Sequence, residues 1–123
     1  MSKRLDKILQ KFEKAHKGVI VNPEEIRNIE VVKTGFWPID QLTGIGGLPK
    51  GRISEIYGSP SAGKTTIALR AIANQQLVGG RSVFIDAEKT LEVKHSEELG
   101  VKFADSIKEK GCGCLILKPD SSD

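Results

Sequence analysis

No apolar run in this sequence approaches the ~20 residues that a transmembrane helix needs, so no membrane-spanning helix and no membrane partner are expected. The N-terminus is basic but lacks the uninterrupted apolar core of a signal peptide. Those two absences make the cytoplasm the expected location. Cysteine is scarce: Cys112 and Cys114 stand one residue apart around Gly113, a spacing that suits neither a structural zinc site nor an ordinary framework disulfide. Free thiols are the plain reading. Charge of one sign is also scarce. The net charge is +3, from 19 basic and 16 acidic residues mixed along the chain, so bulk charge does not mark a nucleic-acid binder. Aromatics make up only 5% of the 123 residues, while apolar content is ordinary for a soluble protein. That length allows at most one small domain with a modest core.

What is present is a glycine loop in the right setting. Gly58, Ser59, Pro60, Ser61, Ala62, Gly63, Lys64, Thr65 and Thr66 read G-x-x-x-x-G-K-T, the phosphate-cradling P-loop (Walker A) pattern. The β-prone run Arg52–Tyr57 precedes it, and the helix-forming run Ile67–Ala73 follows. Strand, glycine loop, helix is the order this chemistry requires. Gly58 and Gly63 let the backbone turn sharply and present its N–H groups to phosphate oxygens. The helix opening near Lys64 adds unpaired N–H groups and its positive dipole end. Lys64 is expected to neutralise the β/γ-phosphates of ATP, and the Thr65 hydroxyl to ligate Mg²⁺.

Along the chain, Ser2 is a reasonable N-cap for a helix with Leu5, Ile8, Leu9 and Phe12 on one face. Gly18 fits its C-terminal stop. Lys3, Lys7, Lys11 and Lys14 occupy the other face. Too short to be stable alone, this helix needs a surface for its apolar stripe, on its own domain or on a neighbouring subunit. Val19–Val21 and Ile29–Val32 are short β-prone runs. Trp37 reads as a packed anchor in preference to a base-stacking aromatic. Gly44–Gly51 is a glycine-proline loop. The P-loop helix is expected over Lys64–Leu77, ending before Gly79–Gly80. Ser82–Asp86 reads as a buried parallel strand that ends in Asp86-Ala87-Glu88, at the rim where α/β sheets bind ligands. Glu88 is the candidate general base, with a solvated loop carboxylate as the bland alternative. A minor alternative makes this a Walker B strand, with Asp86 supporting Mg²⁺. Val93–Leu99 reads as a short helix closed by Gly100, and Cys114–Leu117 as a third core strand.

Taken together, Gly46–Arg52, Glu55–Gly58, the P-loop and Phe84–Glu88 resemble the bacterial RecA recombinases, with weaker similarity from Glu92 to Val101 and at Pro119-Asp120. Several blocks in order are more specific than one P-loop. The resemblance implies an α/β fold: a RecA-like P-loop NTPase core, with a partial parallel sheet flanked by helices, over residues 34–123. Residues 1–33 would form an N-terminal helix–strand oligomerisation arm. It further implies ATP–Mg²⁺ held by Gly58–Thr66 between subunits, with Lys64 and Glu88 as catalytic residues. Glu92 would contact adenine, and His95 would stack on it where the family has a tyrosine. The family's activity is ATP-dependent homologous pairing and strand exchange on single-stranded DNA, in recombination and repair.

This sequence departs from the family in three places. Pro60 replaces an acidic residue, Phe103–Gly113 looks like an insertion, and the family's Walker B strand and DNA-binding loops lie beyond Asp123. An incomplete or split form is therefore expected, one that binds ATP with little or no hydrolysis. Its partner would be a second copy or a complementing RecA-like chain, reached through residues 1–21 and open sheet edges. The alternative is a non-enzymatic interaction protein that docks on a complete recombinase filament and modulates it.

Overall fold

A computed structural model describes residues 3–18, 23–104, 111 and 113–120. The elements in order are α1 (Lys3–Ala15), α2 (Pro23–Arg27), β1 (Val31–Val32), α3 (Trp37–Leu42), β2 (Leu48–Pro49), α4 (Lys64–Leu77), β3 (Ser82–Ile85), α5 (Val93–Glu98) and β4 (Cys114–Leu117). This is an α/β arrangement with two small sheets. β1 and β2 pair antiparallel, and β3 and β4 pair parallel, with Ser82 opposite Cys114 and Ile85 opposite Leu117.

Helix α4 lies at the centre of the packing. Leu69, Ala73 and Gln76 recur at helical spacing and are buried. Leu69 and Ala73 join Val101 and Cys114 in the core, with Ile72, Phe84, Leu91, Leu99 and Phe103 packed against it. Both α4 and α5 stop by the same device. The Gly80 N–H bonds the Gln75 carbonyl and the Gly79 N–H bonds that of Gln76; after α5, Val101 and Gly100 do the same to Ser96 and Glu97. Each stop needs a residue in the left-handed region, supplied by Gly79 (φ +84°) and Gly100 (φ +98°).

Several expectations change. The run Arg52–Tyr57 is not a strand: it joins no ladder, and Ile53 is fully exposed. A strand exists only where a neighbour completes its hydrogen bonds, and among the described residues none lies beside it. β3 is parallel as expected but only half-buried, and on one face alone, since Val83 and Ile85 are exposed to solvent. The glycine-proline loop contributes β2, and α2 and α3 are additional helices. Trp37 is not a packed anchor; it is 73% exposed. What pins α3 is Thr34, whose N–H and hydroxyl both donate to Asp40 Oδ1, at 3.0 and 2.8 Å. The N-terminal helix forms, yet α1 buries no side chain, so its apolar stripe is not packed on its own domain. The expected strand at Val19–Val21 lies outside the described residues, as do Cys112 and most of Phe103–Gly113. Among the described residues no helix is long and apolar enough to cross a membrane.

Candidate functional site

The loop before α4 is shaped by two left-handed residues, Ser61 (φ +59°) and Gly63 (φ +95°). Gly63 is the N-cap of α4 and brings no side chain to the helix's first N–H groups. The first turn therefore begins with uncapped donors, an arrangement that favours an anion. Lys64 Nζ folds back across the loop and donates to the carbonyls of Gly58 and Ser59, both at 2.8 Å. A cation held on neutral carbonyls is available for exchange onto phosphate oxygens, which are stronger acceptors.

A cleft of about 470 Å³ opens here, bounded by Pro60–Thr66 on one side and Glu88 on the other. An adjoining cleft of about 260 Å³ runs from Lys64 and Thr65 along Phe84–Glu88 to Thr90 and Leu91. The fold thus brings Lys64, Thr65 and Glu88 to one place from opposite ends of the α4–β3 unit.

Glu88 reaches the cleft because Asp86 holds its turn. The Asp86 carboxylate is 4% exposed, and its two oxygens accept the N–H groups of Thr90 (3.2 Å) and Leu91 (3.1 Å). The Asp86 N–H donates to Leu117 on β4 at 2.8 Å, which ties the turn to the sheet. Lys89 takes a left-handed φ of +56° inside this turn, and its ammonium pairs with Asp120 at 3.3 Å. With both oxygens engaged by backbone donors, Asp86 builds the turn; the alternative that makes it a metal support is not favoured.

The structure does not bring every expected residue together. Glu92 is the N-cap of α5, and His95 lies one turn on, 4.0 Å from Glu98; neither lines either cleft. Thr90 is a cleft residue that the motif reading missed. Its signal was its position two residues beyond Glu88, inside the turn that Asp86 closes.

Comparisons with known proteins identify the family. The profile of the RecA N-terminal domain matches residues 2–114. The chain is 44% identical over 124 aligned positions to Protein RecA of Mycobacterium sp. (strain KMS), covering 98% of this chain and 33% of that protein. It is 45% identical to Protein RecA of Wolbachia pipientis subsp. Culex pipiens (strain wPip), again over 98% of this chain and 33% of the relative. Protein RecA of Allochromatium vinosum is 44% identical over 98 positions, 80% of this chain and 26% of that protein. The chain spans about a third of the length of the first two relatives. A match over nearly all of the sequence identifies it: the chain belongs to the RecA family, through that family's N-terminal domain.

Proposed function

We propose that this chain binds ATP–Mg²⁺ at the Gly58–Thr66 loop and serves as the N-terminal portion of a RecA-type DNA recombination and repair protein. One observation carries the reading: Lys64, Thr65 and Glu88 border a single cleft beside an uncapped helix start. Backbone N–H groups of the loop and the α4 N-terminus would hold phosphate oxygens, and Lys64 would leave its two carbonyls to neutralise them. Thr65 would ligate the Mg²⁺, whose charge offsets that of the phosphates. Glu88 is the base we assign to activating water, and Lys64 and Glu88 are the catalytic pair of the family's reaction. With the cleft open on its far side, hydrolysis by this chain alone would be slight. Glu92 and His95 would meet adenine only across a subunit boundary.

We assign residues 1–33 to an oligomerisation arm and 34–123 to a partial ATP-binding core. The arm would dock the Leu5–Phe12 stripe on a second copy or on a complementing RecA-like chain. The same partner would supply strands to the open sheet edges. Single-stranded DNA is the nucleic acid that the family reading implies.

The test is thermal unfolding with and without Mg-ATP, in the parent chain and in Lys64→Ala. Ligand at about 100 times its dissociation constant should stabilise the parent by about 2.7 kcal/mol. Equal stabilisation of both proteins would remove the assignment.

A second reading is favoured by the exposed apolar stripe of α1, none of whose residues is buried. In it the chain is a non-enzymatic interaction protein that docks on a complete recombinase filament. Filament length measured with and without added chain separates the two: a change that persists in Lys64→Ala favours docking.

A further inference from the structure

The chain's single tryptophan, Trp37, borders another cleft of about 320 Å³, whose one α4 residue, Asn74, lies in the C-terminal half of that helix. Lys33, Asp40, Gln41 and Asn74 line it together with two glycines, and none of these residues borders the clefts at the phosphate loop. Asn74 lies ten positions along α4 from Lys64, roughly 15 Å at the helical rise. The two places are separate sites.

Three features of this cleft need an explanation. The indole is 73% exposed although α3, which carries it, is pinned by the buried Thr34–Asp40 bonds. The helix is thus fixed while the ring it carries is left unpacked. Asn74 Nδ2 is buried with no hydrogen-bond partner among the described residues, an uncommon and costly state for an amide donor. It lies against Gly35, whose φ of +82° and missing Cβ leave just enough room for it. The remaining wall is polar: a cation at Lys33, an amide at Gln41, and the Asp40 carboxylate, whose Oδ1 is committed to Thr34. A protein partner would be met by apolar neighbours around the indole, as in the core of an interface. An aromatic face beside a cation and two amides fits a flat, polar, anionic ligand instead.

We propose that this cleft binds a nucleotide. Its base would stack on Trp37, and its phosphate would meet Lys33. The Gln41 amide, and that of Asn74 once rotated into the cleft, would bond the base edge. The volume is at the low end of the roughly 300–1,000 Å³ of small-molecule sites, room for one nucleotide. That nucleotide is either free or one residue of a single strand, since both offer the same base and phosphate.

Trp37 is its own probe, because no second tryptophan contributes emission. Lys64→Ala, or Lys64→Met if that variant is poorly folded by circular dichroism, removes the cation of the phosphate loop and with it most of the loop's contribution. In this background the chain is titrated with thymidine monophosphate and with a short oligothymidylate. Saturable quenching of Trp37 is expected, weakened roughly tenfold by Lys33→Ala and by Gln41→Ala. Lys33→Ala should also flatten the salt dependence. Equal affinity for both probes assigns a free nucleotide, and tighter binding of the oligothymidylate assigns a strand. With a dye-labelled oligothymidylate, Trp37→Ala should lose the anisotropy change and Trp37→Phe should keep part of it. The proposal is overturned by the absence of saturable quenching, or by quenching indifferent to Lys33 and Gln41. An emission change that tracks protein concentration would overturn it too, because it would place a second protein on the indole. Stabilisation by Mg-ATP in the parent chain is read separately, so either proposal can fail without the other.

Discussion

Gln76 holds the backbone of Lys102 at two points: its Nε2 donates to the Lys102 carbonyl at 2.8 Å, and its Oε1 accepts the Lys102 N–H at 2.9 Å. The same carbonyl accepts the Cys114 N–H at 2.8 Å, and Ala104 returns a bond to the Cys114 carbonyl at 3.0 Å. One buried amide on α4 therefore fixes the strip that carries the chain into β4. Replacing Gln76 with Ala should cost on the order of 1–2 kcal/mol, because the Lys102 N–H loses its partner and the Lys102 carbonyl loses one of its two donors. Gln76→Glu should not restore it, since a carboxylate oxygen would face the Lys102 carbonyl. Urea unfolding midpoints of the three proteins check the order.

The turn after β3 separates two carboxylates by role. Asp86 is buried and bonded to two backbone N–H groups, whereas Glu88 is exposed at the cleft. Asp86→Asn should destabilise the chain by about 1–3 kcal/mol, because an amide N–H₂ would oppose one of the two N–H groups. Glu88→Gln should leave the unfolding midpoint unchanged within about 0.5 kcal/mol. Equal destabilisation by both would contradict this division.

Thr65 lies in both clefts at the phosphate loop, and its side chain is the one we assign to Mg²⁺. Thr65→Ala should lower ATP affinity in the presence of Mg²⁺ while leaving affinity in EDTA nearly unchanged. Isothermal titration under the two conditions reads the difference. A uniform loss would assign Thr65 to phosphate contact alone.

Gly47 is buried where the chain enters β2, and an added Cβ would meet the Val32 carbonyl oxygen at 2.6 Å. That neighbour is backbone paired in a sheet and cannot rotate away. Gly47→Ala should destabilise by about 1–3 kcal/mol through overpacking, lowering the thermal midpoint. Gly46, with open space at its Cβ position but a φ of +89°, should lose less on substitution by Asn, which tolerates the left-handed region.

The elements that were legible in advance are those whose signals are local. Ala, Leu and Gln in the run from Lys64 to Leu77 favour a helix, and Gly79 and Gly100 supply the left-handed residue that each stop requires. Ser82–Ile85 and Cys114–Leu117 were legible as short apolar runs bounded by turns. Trp37 was misread because burial is not a property of a residue type: whether an indole packs depends on what the fold sets against it. Arg52–Tyr57 has the composition of a strand, yet a strand is a relation between two segments, and the described residues provide no second one.

The candidate site divides in the same way. Sequence alone determined which groups are available to a phosphate: the glycine spacing, Lys64 and Thr65 are neighbours whatever the rest of the chain does. Only tertiary structure decided that Glu88 joins them and that Glu92 and His95 do not. Glu88 is joined to that loop through the packing of α4 against β3 and the turn that Asp86 closes. Contacts across such a separation are set by the core residues between them, Leu69, Ala73 and Phe84, and by hydrogen bonds that no local pattern encodes.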